Sequence, residues 1–483
     1  MKLIGRVGDG ATETGARVIL LKDMEREVRS EELVLVRNGG DDNPVNEVIG
    51  VLREGLGKNE FLSHNTYRPD IAYLKYGGEP SGAREVYSFK IIPIGVRAEN
   101  GLEPNKTIIA PRSPVYLLDD LDNPMGLIAS KTGGVHYLNA YLEGHENWHV
   151  PVLKEYITYH VGVFGSTGSG KSWLAKYVLS RLYHECGYRV LILDWSGTDY
   201  TPLFQEKTIS IQEIQLDTSS IFSYLSDVTL NFGGNNSLRD AFEEFLEEWH
   251  DEVKKTGADP YQLYEKMKSK ISSKLESIKR EDYKEGARRA FRRAFKRLMP
   301  ETLKPLMGNT SIEELLHRLD REKTLVIDMG GVTSSSKLSF FLALGSELYR
   351  LMDMGENINT ALVVDEAPQY APWEPRGIQV ETTEMIKNLA ALGRKRGLNL
   401  TLISQGIRGE IGINAAVRRN LNTYFIGRIH PLDASGEGGA AEWLEPYGVR
   451  AEQLLQLKPG RFYISGIMNP SPIPLLLTFN PGE

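Results

Sequence analysis

The 483-residue chain predicts an α/β fold with a parallel-rich sheet, a small β-barrel in front of it and a helical insertion within it. Three observations predict this. Short strands broken by turn residues fill the first 125 positions. From residue 160 onward, apolar strands alternate with helices. Between the second and third of those later strands, roughly residues 211–320 carry apolar side chains at three- and four-residue spacing. At about 150 residues per domain the length accommodates about three such parts.

The first part, residues 1–125, reads as KLIGRV (2–7), ARVILL (16–21), ELVLVR (32–37), EVIGVL (47–52), EVYSFKIIPIGV (85–96) and PVYLL (114–118). Val, Ile and Tyr dominate these runs, and Gly, Asn, Asp and Pro separate them, the pattern of a small antiparallel barrel. Residues 126–159 read as a connector. Within it, HENWH places His145 and His149 four apart, a spacing one helical turn brings together. No Cys, third His or acidic helix partner accompanies them, so a metal site is not expected.

The α/β core is expected over 160–210 and 321–460. Its strands are HVGVFG (160–165), RVLILD (189–194), TLVIDM (324–329), TALVVDE (360–366), LNLTLIS (398–404) and NTYFIGRI (422–429). Continuous Val/Ile/Leu strands joined by helices imply a mostly parallel sheet covered on both faces. Residues 211–320 form the helical insertion. The tail, 461–483, is rich in proline but contains the apolar run LLLTF, which is expected to dock.

Composition excludes several classes. With 41% hydrophobic residues and a net charge of −7 the chain is neither disordered nor coated with basic residues, although a local basic channel stays open. The one cysteine, Cys186, forms no internal disulfide. No apolar run reaches the ~20 residues that span a bilayer, and MKLIGRVGDG meets charge and glycine before a signal-like core forms. A soluble cytoplasmic protein without a membrane partner is the expectation.

The strongest chemical signal is GSTGSGKS at 165–172, which fits G-x-x-x-x-G-K-[ST] at every fixed position. A buried strand precedes it and a helix follows, which aims backbone N–H groups at phosphate oxygens. Gly165 and Gly170 permit the tight loop, Lys171 reaches the β- and γ-phosphates, and the Ser172 hydroxyl ligates Mg²⁺. The candidate nucleotide contacts are Gly165, Thr167, Gly168, Ser169, Gly170, Lys171 and Ser172, with Trp173 next to them. ATP and Mg²⁺ are the expected ligands.

The second element is ALVVDEAPQY at 361–370. Its apolar strand delivers Asp365 and Glu366 to the C-terminal edge of the sheet, where ligands bind in open α/β folds. Asp365 is the candidate Mg²⁺ ligand, and Glu366 the residue that orients and deprotonates the attacking water. The plainer reading is that strand ends favour acidic residues. In LNLTLISQG, Gln405 follows another strand and either contacts the γ-phosphate or water, or merely caps the strand. Just upstream, Arg394, Lys395 and Arg396 form either a solvated turn or a group that reaches the phosphate of a neighbouring subunit.

Together STGSGKS, VVDEAPQYAP, GRKRGLNLTLISQ, the stretch PRSPVYLLDD at 111–120 and the front barrel resemble the HerA family, within the HerA and FtsK group of ring-forming P-loop motors. The resemblance covers most of the chain. It implies a RecA-like core and a hexameric, DNA-translocating ATPase that passes duplex DNA through a central channel and works with a NurA-type nuclease in DNA end processing and break repair. A defence nuclease or a secretion system is the alternative effector, and a non-enzymatic nucleotide-dependent scaffold a more distant one. It also implies a C-terminal tail docked on the ring. By the same resemblance Lys171 and Ser172 match the Walker A residues, Asp365 and Glu366 the Walker B pair, Arg394 the arginine that acts across the subunit interface, and Gln405 the Gln of the Ser-Gln strand end. Two positions depart from the pattern. Pro368 stands after Ala367 where His is common, which bears on the loop after Glu366, and Tyr159 stands before His160 where Arg is usual, which bears on basic residues at the interface.

The densest basic run, ARRAFRRAFKR at 287–297, places Arg288, Arg289, Arg292, Arg293, Lys296 and Arg297 on one broad helical face, with Phe291 and Phe295 toward the core. A solvated face, partly neutralised by the upstream EDYKE, is favoured over DNA contact there. Positive charge is instead expected along the channel of the ring and acidic charge outside it.

Overall fold

A computed structural model describes residues 1–59, 62, 71, 74–78, 85–99, 101–129, 134–216, 218–256, 259–306, 308–434, 436 and 438–480. The chain packs as two units, Met1–Glu155 with Phe425–Glu483, and Tyr156–Tyr424.

In the first unit every strand expected of the barrel is present. Lys2–Val7, Ala16–Leu20, Leu33–Asn38, Asn46–Asn59, Glu85–Ala98 and Pro114–Leu117 form an antiparallel ring, closed by pairing of Ala16–Leu20 with Glu85–Ala98; Gly101–Glu103 is added beside Glu85–Ala98. Alternate residues point inward, so Ile4, Val18, Val34, Val36, Val48, Leu52, Ile91 and Val115 make its core. Gly5 has a steric reason: a Cβ there would lie 2.2 Å from the Ile19 carbonyl oxygen, where the register shifts.

The stretch read as a connector is more ordered than expected. Val135–Leu142 and His149–Leu153 form an antiparallel pair, and Leu475–Thr478 joins it, flanked on its other side by Arg461–Gly466. The apolar tail segment is therefore a buried strand. This pairing explains why the chain from Phe425 onward groups with the N-terminal part, whereas the sequence division keeps residues up to 460 with the core. Arg53 joins the two portions of this unit: fully buried, it pairs with both carboxylate oxygens of Glu31 (3.0 and 2.9 Å) and donates to the carbonyls of Tyr447 (2.7 Å) and Pro474 (2.6 Å). The Tyr463 hydroxyl also donates to Glu31, at 3.0 Å. A buried ion pair satisfied on both sides in this way fixes register, and removal of one partner strands a charge.

His145 and His149 do not meet as ligands. His145 lies in a turn, stacked on Trp148 at 3.7 Å and bound to Glu32, while His149 opens a strand and faces the Leu138 carbonyl.

In the second unit the sheet is parallel, in the order Thr208–Ser210, Thr324–Asp328, Arg189–Asp194, Thr360–Val364, Leu398–Ser404, Val161–Phe164. The four residues of Val161–Phe164 and all of Leu398–Ser404 are buried, as continuous apolar strands between helical layers should be. Helices Ser334–Asp353 and Ile378–Arg396 pack against each other beside the sheet. Between Thr208–Ser210 and Thr324–Asp328 the chain is helical: Thr218–Val228, Asn236–Thr256, Pro260–Glu276, Glu281–Arg297 and Ile312–Glu322. Leu263, Met267, Ile271 and Leu275 form the buried stripe of Pro260–Glu276 at the expected spacing. Strand Thr423–Ile426 lies where the two units meet along the chain.

Candidate nucleotide-binding site

Strand order decides which side chains meet. Val161–Phe164 leads into the glycine loop and Thr360–Val364 into the acidic pair, and Leu398–Ser404 lies between them. Phe164 is in register with Ser404, so residues 165–172, Asp365, Glu366 and Gln405 all emerge at the C-terminal edge of three adjacent strands. A one-dimensional reading finds these residues but not that Gln405 is the middle one.

The loop is shaped by Gly168 and Gly170, with φ of 74° and 100°, conformations that glycine adopts without cost. Its amide at Gly165 bonds the Ser404 carbonyl at 3.2 Å. The Lys171 ammonium folds back on the loop, donating to the carbonyls of Gly165 (2.8 Å) and Ser166 (3.2 Å). Burial pulls its pKa below the ordinary lysine value, against the opposing pull of Asp365, Glu366 and Asp199. Ser169 is fully buried and its hydroxyl has no hydrogen-bond partner among the described residues. The helix that begins at Lys171 passes through a π-helical stretch, Leu174–Leu179, a distortion that recurs at functional sites. Trp173 is 38% exposed and stacks on Tyr177 at 5.2 Å, a flat aromatic surface next to the loop.

Glu366 has φ 47° and ψ 47°, left-handed backbone on a residue with a Cβ. Strain of this kind persists where the surroundings hold it, and it clusters at functional sites. Pro368 lies early in the short turn Ala367–Gln369, where a missing N–H is not needed, so the departure from Ala-His leaves a well-formed loop. Gln405 bridges the two motifs: its amide donates to Glu366 Oε1 at 2.5 Å, and its carbonyl accepts from the Thr167 hydroxyl at 2.9 Å. It does more than cap its strand.

Asp365 is 5% exposed and its Oδ2 has no hydrogen-bond partner among the described residues. Burial, then the neighbouring charges of Glu366, Asp199 and Asp194, push its pKa up to about 8. Asp194, Asp199 and Asp365 each place a carboxylate oxygen within 4.8 Å of the others. The sequence reading missed the first two. A signal was available, because RVLILD ends in Asp194 on the strand adjacent to Thr360–Val364, with Leu193 opposite Val364. Asp194 is also committed to its own loop, accepting from the amides of Gly197, Tyr200 and Thr201. An orphaned buried carboxylate oxygen and the hydroxyl of a P-loop serine are oxygen donors of the kind a divalent cation takes, so Ser172 and Asp365 fit Mg²⁺, and Asp199 and Asp194 belong to the same carboxylate cluster as Asp365.

Arg394 lies elsewhere. It ends the helix Ile378–Arg396, before the strand whose far end carries Gln405, and that seven-residue strand is roughly 20 Å long. The guanidinium is exposed and rests 5.2 Å from the centre of the Tyr159 ring. The second departure thus places an aromatic face, rather than a second cation, against Arg394. Next to it, His160 is buried at φ 65° with both ring nitrogens engaged: Nε2 donates to the Ala390 carbonyl (2.9 Å) and Nδ1 accepts from the Leu400 amide (3.1 Å).

Residues 142–347 match the family model described as the central domain of the helicase HerA. No curated protein matches the chain. Among solved structures, VirB4 of Thermoanaerobacter pseudethanolicus is 15% identical, with a TM-score of 0.50 over 72% of this chain and 97% of that one. The bacterial conjugative coupling protein TrwB, lacking its first 70 residues and unbound, is 14% identical with a TM-score of 0.49, over 69% and 87%. The genome packaging NTPase B204 of Sulfolobus turreted icosahedral virus 2, in complex with ATP-γS, is 14% identical with a TM-score of 0.30, over 66% and 96%. The family matched over residues 142–347 is the one that the motifs resemble, and this match includes the glycine loop at 165–172. Among the described residues no helix is long and apolar enough to cross a membrane.

Proposed function

We propose that this chain is the subunit of a hexameric ring that hydrolyses ATP to move duplex DNA through its channel, working with a NurA-type nuclease at DNA ends. The observation that carries the reading is the division of functional groups between the two ends of one sheet. At the C-terminal edge, Lys171 and the loop amides receive the β- and γ-phosphates, and Ser172 and Asp365 would hold Mg²⁺, which would supply positive charge to the phosphate oxygens. Glu366 takes the proton of the water that attacks the γ-phosphorus while the bond to the ADP oxygen breaks. Gln405, tied to both Thr167 and Glu366, links phosphate occupancy of the loop to the position of the base. Arg394 is a strand length away from this edge, so it serves phosphate only if a second copy supplies it.

The same reading makes residues 211–320 an insertion in the motor and residues 461–483 a tail packed on the ring. A different effector, a defence nuclease or a secretion channel, would use the same motor.

Turnover measured with and without linear duplex DNA tests the proposal, with the assembly mass followed in parallel. DNA is expected to stimulate hydrolysis by a six-membered assembly, and salt to weaken binding. Hydrolysis indifferent to DNA of any form would overturn the translocase, and co-purification of a secretion component in place of a nuclease would favour the other effector.

A further inference from the structure

Helix Glu281–Arg297 lies far along the chain from the P-loop and carries charge of a different kind. It buries Ala287, Ala290, Ala294 and Phe295, and Phe295 stacks on Phe242 at 5.7 Å. This anchored face turns the arginines to the other sides of the helix, where they have unequal company. Arg288 is neutralised, bound through two nitrogens to Glu276, which Lys284 also contacts at 3.1 Å. Arg289 has Glu285 only at 3.9 Å, between two exposed side chains. Arg292 and Arg293 have no carboxylate partner among the described residues. The upstream acidic residues therefore neutralise one end of the basic run and leave the other.

Arg289, Arg292 and Arg293 line an open cavity of about 750 Å³, opposite the turn that contains Gly233, Gly234 and Asn235. Among the described residues no carboxylate lines it. Gly233 and Gly234 have φ of 66° and 70°, and the space a Cβ on Gly234 would enter is empty, so the wall facing the arginines is bare backbone. A Cβ on Gly233 would lie 3.8 Å from Nη2 of Arg293. Three like charges converge on one hollow of a chain whose net charge is −7. An oxyanion relieves their repulsion, and the planar guanidinium fork matches phosphate geometry with paired hydrogen bonds.

We infer that this cavity binds phosphate, supplied by the backbone of a nucleic-acid strand. The inference rests on the DNA-motor reading for the source of the phosphate. It corrects the expectation that this helical face is merely solvated, and it places a nucleic-acid contact on the helical segment in addition to any in the channel.

The test is equilibrium binding of a 30-bp duplex to the full chain without nucleotide, across a salt series, for the native protein, Arg292→Ala/Arg293→Ala, Arg292→Lys/Arg293→Lys and Arg288→Ala. Loss of two phosphate contacts is expected to weaken binding at low salt and to reduce the slope of log K against log salt by about two. The lysine variant should keep most of the slope, Arg288→Ala all of it, and ATP turnover without DNA should not change in any. If the native protein binds the duplex and the double alanine variant matches it in affinity and slope, the inference is overturned and the motor reading stands. If the native protein binds no duplex at any salt, both fall. Inorganic phosphate, titrated at constant ionic strength, separates the sources: it should displace duplex from the cavity only weakly. Saturable phosphate binding that the alanines abolish while duplex binding is unchanged would overturn the nucleic-acid source. Superimposable thermal unfolding of the variants excludes a folding defect.

Discussion

The two ends of the parallel sheet are built from the same strands and differ in how their polar groups are satisfied. At the C-terminal edge, Ser169 and Asp365 keep buried polar atoms without partners, Glu366 is held in left-handed backbone, and Lys171 turns back on its own loop. At the N-terminal edge, both nitrogens of the buried His160 are bonded, Asn399 reaches the Ile157 carbonyl, and Asn422 bonds the Tyr159 carbonyl. A buried polar atom left unpaired costs about 1–3 kcal/mol, so the first edge is incomplete until a ligand arrives, whereas the second leaves Nε of Arg396 unpaired among the described residues while its Nη1 donates to the Gly355 carbonyl at 3.1 Å. The second edge also leaves exposed cations, Arg394 and Lys395, and the Arg394 guanidinium lies on an aromatic ring. The contrast teaches that orphaned hydroxyl and carboxylate groups gathered around a glycine loop mark where a subunit receives its ligand, and an exposed cation on a largely bonded surface marks what it offers to another.

The largest effect that would break this comparison comes from the exposed cation. Arg394→Ala should lower turnover by about 10³- to 10⁵-fold if it serves a neighbouring site. In rings mixed with native subunits, activity should fall with the fraction of disrupted interfaces. Loss restricted to the variant's own sites would end the assignment between subunits. Next in size is Glu366→Gln, which removes the base and keeps the shape. Turnover should fall by about 10²- to 10⁴-fold while ATP is still bound. Normal hydrolysis by that variant would show that the strained glutamate is not the base, and the first edge would then lose its chemical meaning.

Much of this was legible in the sequence, for physical reasons that differ by region. GSTGSGKS and VVDE could be read because phosphate binding demands particular residues at fixed spacing, and buried parallel strands are continuous apolar runs. The six barrel strands were legible because turn residues interrupt them. Strand order was not, and with it went the role of Gln405 as a bridge and the proximity of Asp194 and Asp199 to Asp365, since adjacency in a sheet is a long-range property. The pairing of residues 135–153 with the tail strand at 475–478 escaped for the same reason. Arg292 and Arg293 were visible as charges, but which arginines found carboxylates depended on Glu276, twelve residues before Arg288 and on another helix.

The third prediction sharpens the claim that His160 is a buried, fully bonded part of the N-terminal edge. Burial, against the hydrogen bond to Ala390, holds the pKa of His160 at about 4, below its ordinary 6.5. The folded protein keeps the ring neutral while the unfolded chain protonates it, so between pH 6.5 and 4 the unfolded state binds more protons. The stability this supplies is fully present above pH 6.5 and is lost as pH falls toward 4, by about 3 kcal/mol. Urea midpoints across that window should fall more steeply for the native protein than for His160→Asn, whose side chain does not titrate and tolerates positive φ. Equal slopes would mean that the ring is already charged or exposed.

The smallest expected effect concerns Tyr159, which stands where the family pattern has arginine. A second arginine there would repel Arg394. An aromatic face attracts it, and at an exposed site this is worth about 0.5–1 kcal/mol. Tyr159 is thus a positioning residue, which narrows the orientations from which Arg394 can leave its own subunit. Tyr159→Leu should lower turnover about two- to five-fold, Tyr159→Phe should retain most of it, and neither should change ATP affinity, because the ring is a strand length from the subunit's own phosphate loop. The discriminating measurement is the double variant: with Arg394→Ala present, Tyr159→Leu should cost nothing more, since the ring then has nothing to orient. An undiminished cost in that background would show that Tyr159, whose ring also meets Tyr156 edge-on at 5.4 Å, supports the fold and not the arginine.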